Sequence, residues 1–406
     1  VAVIPRAETQ PLARPGRIAT GLASPSVVLF LALFASQAGV LVLSPILSDV
    51  AADFGVSIAE AGQLRILAAP LAALVAVAAG RSLARFSPRA LLATGSVLLA
   101  VGSVASALAP TFALLALAQV PVWAGVAILV AAGVAATAAW SEPGRRTRVV
   151  AHALAGPPAA WIVGMPMIGL VSEVHWRLAF LALPLPAALL AGLAVLGRPA
   201  DVPIAGVQRS LAGLLGRAGA RRWAAGELLA SSAWGGTLVF SGALFTEVHG
   251  TSPTATGIAL AFVAAAYLAG NQWASRSDPA QARRKLLEGS VAAGIGVALT
   301  WSIAPSVAVT FALFGAAAFV AATRTVAGTV YGFTVAGDLG REVGAIRAAT
   351  QQLGYLIGAL VGGVALAVGG FEALAVAFGG LFLASTLPYV CLRPACRSRL
   401  ALEAAS

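Results

Sequence analysis

Long apolar runs, each about 20 residues and so long enough to cross a bilayer core as a helix, recur along this chain with short polar breaks between them. They fall at 26–50, 60–79, 90–109, 111–139, 149–171, 178–196, 223–246, 254–274, 286–304, 306–333, 345–368 and 372–392. No soluble catalytic domain fits in what remains. The pattern predicts an all-α membrane protein with twelve transmembrane helices. The longest polar break, 197–223, divides the runs six and six. The expected organisation is a tail (1–25), a six-helix bundle (26–197), a linker (198–222), a second six-helix bundle (223–392) and a second tail (393–406). Within the linker, "QRSLAGLLGRAG" has the pattern of a short amphipathic surface helix.

Composition supports a bilayer as the main solvent. The chain is 59% hydrophobic and 10% charged, against about 25% charged in soluble domains. The pI near 11.2 raises nucleic-acid binding, which the distribution of charge argues against. Of 26 Lys and Arg, 23 fall in the tails and in or beside alternate breaks, on one side of the predicted topology. Only Arg177 lies in a break on the other side, and Arg65 and Arg324 lie inside runs. This is the positive-inside bias, which predicts cytoplasmic tails in a multi-pass protein of the cell membrane. The first run is long enough to span, so it does not read as a cleavable leader. Trp140 and Trp176, near run ends, are expected to be membrane-belt anchors.

The two halves carry similar segments. "RALLATGSV" (89–97) enters the third run and "RKLLEGSV" (284–291) enters the ninth. "AAWIVGMPMIG" (159–169) and "LGYLIGALVGG" (353–363) are a second pair at a similar offset. Parallel six-helix repeats place a binding site near the midplane, between the halves.

Ionisable residues inside apolar runs are costly and mark candidate sites. On a helix, Arg324 shares a face with Ala317, Ala321, Gly328 and Tyr331, while Phe319, Val326, Val330 and Phe333 lie opposite. Its expected orientation is toward a seam of small residues, facing the cavity between the halves. Glu227, Asp338 or an anionic substrate are its candidate partners. Arg65 shares a small-residue face in the second run and pairs with Asp49 across a helical hairpin, either as a fixed lock or in coupling. Gln119, Asn271, Tyr331 and Tyr355 add polar groups inside runs, and Trp161 and Trp234 add aromatic walls, the lining that a cavity for organic molecules needs. Cys391 and Cys396 are expected to be free thiols. There is no metal-ligand spacing, phosphate loop, nucleophile elbow or catalytic acid pair, so neither an enzyme nor a cofactor is indicated.

These segments resemble the major facilitator superfamily over about 26–392, and within it the twelve-span bacterial drug:proton antiporter branch. "GRSLARFSPR" (80–89) is similar to the family's signature between the second and third spans. Gly80, Arg85 and Arg89 match it, whereas its acid is Ala84 here and its second glycine Ser87. "GPPAAWIVGMPMIG" (156–169) is similar to the exporter signature of the fifth span, keeping Gly164, Pro166 and Gly169, and "WRLAF" (176–180) to the start of the sixth. In the fourth span Gln119 is kept, but the family's arginine is Ala116 and its glycine Val120. The resemblance implies a monomeric secondary transporter that exports small organic molecules or drugs, with protons as the coupling ion and the lipid bilayer as its surroundings. It assigns conformational gating to Gly80, Arg85, Arg89, Gly164, Pro166 and Gly169. The missing arginine leaves coupling to Arg324, Glu227, Asp49 and Arg65. The alternatives are a transporter of small anions that uses Arg324, and a membrane sensor or scaffold.

Overall fold

The computed structural model describes residues 23–64, 85–140, 155–199, 211–274, 278–303, 305–337 and 340–389, together with Val75, Ala78, Val149, His152, Ala153 and Asp201. Arg65, Gly80, Asp338, Cys391 and Cys396 lie outside the described residues, and so does most of the expected second span.

Regular structure among the described residues is helical. The first half comprises α1 (Pro25–Leu41), α2 (Leu47–Phe54), α3 (Ile58–Gly62), α4 (Pro88–Leu108), α5 (Phe112–Ala139), α6 (Gly156–Ser172), α7 (Leu178–Ala182) and α8 (Pro184–Leu196). A short linker helix, α9 (Leu211–Gly216), precedes the second half. That half comprises α10 (Ala218–Ala243, extended by a π-turn, Leu244–Val248), α11 (Pro253–Ala274), α12 (Ala282–Ser302), α13 (Val307–Ala336) and α14 (Gly340–Ala384). Seven helical segments among the described residues are long and apolar enough to cross a membrane, and α1 and α6 are shorter apolar helices.

Local chemistry sets the boundaries. Ser87, Thr111 and Ser306 accept hydrogen bonds from backbone N–H groups three residues on, at the starts of α4, α5 and α13, satisfying donors that have no partner within the helix. Ser57 and Glu60 form a capping box on α3. The helical run of α14 breaks at Gly369 and Gly370, where Gly370 takes a left-handed φ of 64°, a conformation that glycine adopts without steric cost. Its two arms correspond to the eleventh and twelfth apolar runs. The first run differs from expectation. Rather than one span over 26–50, α1 ends at Leu41, a turn covers 42–46, and α2 follows. Pro45 lacks the N–H that a continuing helix requires, and Ser44 turns its hydroxyl to the Leu238 carbonyl of the other half at 2.6 Å.

Within the first half, α1 packs on α5, α6 and α8, and α4 packs on α5 and α8. Within the second, α10 packs on α14, α12 on α13 and α14, and α11 on α13. The halves meet through α6 and α11, α3 and α14, and α2 and α10. These contacts lie at one end of the bundles, away from the linker, called here the distal end.

Candidate functional site

In the second half the repeated segments bring three charges together. Glu227 on α10 is fully buried and accepts from Arg324 of α13 at 2.6 Å through Oε1, and from Arg347 of α14 through Oε2. Arg324 is 2% exposed. Its Nε donates to Ser290 of α12 at 3.2 Å and its Nη2 to the Gly226 carbonyl at 3.3 Å. Each of its three nitrogens therefore donates to a partner. Trp223 donates to the Gly328 carbonyl at 2.8 Å. The Tyr389 ring lies edge-on to Tyr331, 5.8 Å between centroids.

The same positions in the first half are apolar. At an offset of 194 or 195 residues, Gly95 and Gly289 correspond, as do Leu129 and Arg324, Leu33 and Glu227, and Gly133 and Gly328. Gly95 lies against Leu129 as Gly289 lies against Arg324, and Gly133 lies against Leu33 as Gly328 lies against Glu227. Ser290 accepts from Arg324, whereas its counterpart Ser96 has a buried hydroxyl with no hydrogen-bond partner. One packing scheme thus carries leucines in one half and an ionic cluster in the other.

Every contact named for Arg324 lies inside the second half. Its orientation toward a cavity between the halves is corrected accordingly: the guanidinium turns along the α13 seam into the helix interface, where Glu227 lowers the cost of burying its charge. The sequence does not single out Arg347: it lies only two residues inside the eleventh apolar run, which starts at 345, and so reads with Arg341 as a cation beside the preceding break. The helix starts at Gly340, and this extra length carries Arg347 in to Glu227.

The remaining expected site residues are dispersed. Gln119 is buried between α4 and α5 and donates to Ser106 at 2.8 Å. Asn271 is half-buried on α11. Tyr355 is buried where α14 crosses Gly235 of α10. Trp161 donates to Gln37 at 3.3 Å, and Trp234 stacks on Tyr267 with 5.6 Å between centroids. Both tryptophans pack on one apolar cluster that crosses the two halves. Arg85 is exposed. Arg89 stays within the first half, donating to the Val195 and Leu196 carbonyls at the end of α8, while its backbone N–H meets Asp201.

The two expected belt tryptophans do other work. Trp140 donates to Asp201 at 2.8 Å and lies under Arg198. Trp176 is buried, donates to Asp53 at 3.2 Å and stacks under Arg177, which itself pairs with Asp53 at 2.7 Å. A nearby acid takes up each indole N–H.

The closed distal end is the second element of the site. Ser44 meets Leu238 and Ser241, and Ser48 meets Thr246 at 2.9 Å. Gly242 lies against the Ser44 carbonyl, Gly169 against the Pro253 carbonyl, and Gly257 against the Met165 carbonyl. Glu173 of the first half accepts from the Thr254 N–H at the start of α11. Of the expected gating residues on α6, Gly169 is at this seam, Gly164 faces Leu183 within its own half, and Pro166 lies inside α6.

The fold has solved counterparts. A bacterial homologue of the human lysosomal transporter Spinster, inward-facing and occupied, aligns at 15% identity over 89% of this chain and 93% of its own, with a TM-score of 0.70. A D-xylose–proton symporter aligns at 15% identity over 90% and 96%, with a TM-score of 0.69. The xylose transporter XylE from E. coli, partially occluded and inward-open, aligns at 14% identity over 91% and 97%, with a TM-score of 0.68. No curated protein matches the sequence. The family model of the Major Facilitator Superfamily matches residues 29–344, most of the chain. With two helical halves joined by a linker and closed against each other at one end, this chain belongs to the Major Facilitator Superfamily.

Proposed function

We propose that this protein exports small organic molecules across the cell membrane by alternating access, driven by protons, with both tails and the 197–223 linker in the cytoplasm. The observation that carries the alternating-access reading is the one-ended contact between the halves. Hydroxyl pairs and glycine–carbonyl approaches close the distal end. A small set of contacts that can be broken together is what a rocking motion about a central site requires. Trp161 with Gln37, and Trp234 with Tyr267, supply aromatic and amide groups for an organic substrate. The drug:proton branch is supported by the fifth-span glycines and by "WRLAF".

Transport of a small anion is the second reading. Its support is the excess of two guanidinium groups over one carboxylate at Glu227. Against it, Arg324 has no donor nitrogen left without a partner.

Purified protein in liposomes, given an imposed pH gradient and a panel of amphiphilic cations and carboxylates, tests both. Gradient-driven flux of the cations supports the first reading. Flux of carboxylates alone supports the second. Flux that ignores the gradient removes proton coupling. A cysteine placed at Ala205 and labelled only from the cytoplasmic side supports the topology, and labelling from outside overturns it.

A further inference from the structure

Three helices run toward the distal seam: α1, which leads to Ser44, α6, which carries Gly169, and α10, which carries Gly242. Each has one partly open aromatic or amide side chain a short way back from its seam residue. Trp161 is eight residues before Gly169 and Trp234 eight residues before Gly242, about 12 Å of helix in both cases. Gln37 is seven residues before Ser44, and its Oε1 accepts from Trp161 Nε1 at 3.3 Å. Trp234 is braced by Tyr267, 5.6 Å between centroids with the planes 21° apart, and by Phe314 at 6.1 Å.

Exposure along these helices shows what the side chains face. On α10 and its π-turn every residue from Ser232 to Phe245 is buried except Trp234. A helix so enclosed has no lipid face there, so Trp234 opens on an internal space. On α1, Phe30, Phe34 and Gln37 are partly open at the spacing of one helix stripe, and 38–47 are buried. The rest of α1 is covered by α5, α6 and α8, so this stripe opens between the halves and ends at the seam. Trp161 and Trp234 pack on one apolar cluster drawn from both halves.

The walls around these side chains carry no charge. α1, α6 and α11 contain no acidic, basic or histidine residue. Past Arg222, α10 has only Glu227, which Arg324 and Arg347 hold inside the second half. Asp49 lies on α2, beyond the seam, and is half-buried there.

We propose that Trp161 and Trp234 clamp one planar, fused-ring aromatic substrate between the halves, and that ring shape rather than charge selects it. Indole faces offer a large, rigid stacking area. They accept neutral rings and cationic rings alike, the latter through the quadrupole of the face. A carboxylate in the walls would favour cations, and these walls supply none. Gln37 uses its amide oxygen on Trp161, which leaves its N–H₂ to donate to an oxygen on the substrate's edge where there is one. The clamp names the substrate class of the export reading and rests on that reading for its place in a cycle. Binding itself is measurable without transport.

The test is equilibrium binding to the full chain in lipid nanodiscs, with empty nanodiscs as background. Coumarin is the neutral fused-ring probe, proflavine the planar cation, and tetraphenylphosphonium a cation whose rings are not coplanar. Coumarin and proflavine should compete for one site, and tetraphenylphosphonium should displace neither. Trp161→Leu and Trp234→Leu keep an apolar side chain and lose the ring face. Each should weaken both fused-ring probes about tenfold, whereas Trp161→Phe and Trp234→Phe should stay close to wild type. Gln37→Leu should weaken coumarin and leave proflavine unchanged. The competition in wild type decides the proposal even where a leucine variant fails to fold. Tetraphenylphosphonium displacing both planar probes overturns the clamp, as do unchanged affinities in both leucine variants. Should the leucine variants lose the probes while liposome flux ignores the pH gradient, the coupling reading fails and the clamp stands. Should gradient-driven flux of other organic molecules persist with neither fused-ring probe bound, the clamp fails and the export reading stands.

Discussion

Arg324 occupies in the second half the place that Leu129 occupies in the first: each packs against the glycine of a Gly-Ser-Val segment, Gly289 and Gly95. This correspondence sets the expected cost of removing it. Arg324→Leu leaves Glu227 paired one-to-one with Arg347 and puts in a side chain that the repeat already accommodates. Ser290 then loses its donor, a situation that buried Ser96 tolerates. The variant should unfold within about 1 kcal/mol of wild type, since apolar replacement of a buried ionic group is often neutral or better. Glu227→Ala should cost about 3–5 kcal/mol, because it strands two guanidinium groups. Thermal unfolding of both variants in the same detergent checks the contrast. Equal losses would show that Arg347 does not hold Glu227 alone.

Transport separates packing from function at the same residue. Arg324→Lys keeps a charge but loses the planar fork that reaches Glu227, Ser290 and Gly226 together. If the cluster takes part in coupling, liposome flux should fall in both Arg324→Lys and Arg324→Leu while stability is kept. Normal flux in Arg324→Leu would reduce the cluster to a tie among α10, α12, α13 and α14.

Asp53 should matter more than its exposed position suggests. It accepts from both Trp176 and Arg177, and Arg177 also donates to the Ala109 carbonyl at 3.1 Å, so three connections of the first half meet there. Asp53→Ala leaves a buried indole N–H without its acceptor, a loss of about 1–3 kcal/mol. Arg177→Ala in the Asp53→Ala background should then cost little more, as expected for residues that share a network. Additive losses would show that the two act separately.

The sequence was most informative where one physical rule dominated. Apolar length marked the long helices. The Gly-Ser-Val repeat disclosed the pseudo-symmetry on which the Leu129–Arg324 correspondence rests. Depth along a helix was legible for Arg324 but not for Arg347, since hydropathy alone reads a charged first turn as loop. The turn at 42–46 was hidden for a related reason: Ser44 and Pro45 sit in an apolar stretch, and the partner carbonyl of Leu238, which with Pro45 explains the break, lies in the other half. The Trp176–Asp53 bond was not legible because sequence position near a run end does not disclose an acid more than a hundred residues away.

The glycines at the distal seam predict a conformational effect. A Cβ at Gly242 would run into the Ser44 carbonyl, and one at Gly257 into the Met165 carbonyl. Both obstacles are backbone and cannot rotate away. Gly242→Ala and Gly257→Ala should each penalise the closed distal end by about 1–3 kcal/mol, the usual cost of overpacking. Each 1.4 kcal/mol is tenfold in population (about tenfold by the standard conversion), so the distance between spin labels at Ala52→Cys and Val248→Cys, both exposed positions flanking the seam, should lengthen measurably. Gly250→Ala, where a Cβ meets nothing within 4 Å but φ is +62°, should strain its own turn and leave that distance unchanged.

Glu173 offers a pH test of the distal contact. It projects from the first half and accepts from the Thr254 N–H at the start of α11 at 3.4 Å. The polar groups of Thr254, its side chain foremost, and of Ser252 hold its carboxyl below the ordinary value of 4.5. A carboxylate with a depressed pKa in the closed state favours closure when ionised. That preference is complete above the ordinary carboxylate value and is lost as pH falls through the lowered one. Acidification below 4.5 should therefore loosen the α6–α11 seam. Glu173→Gln removes the charge and keeps an acceptor, so the seam should become insensitive to pH in this acid window. Cross-linking of cysteines placed at Val174 and Ala255, both exposed, followed across that window, reads the difference. A seam that loosens equally in Glu173→Gln would assign the acid response to another group.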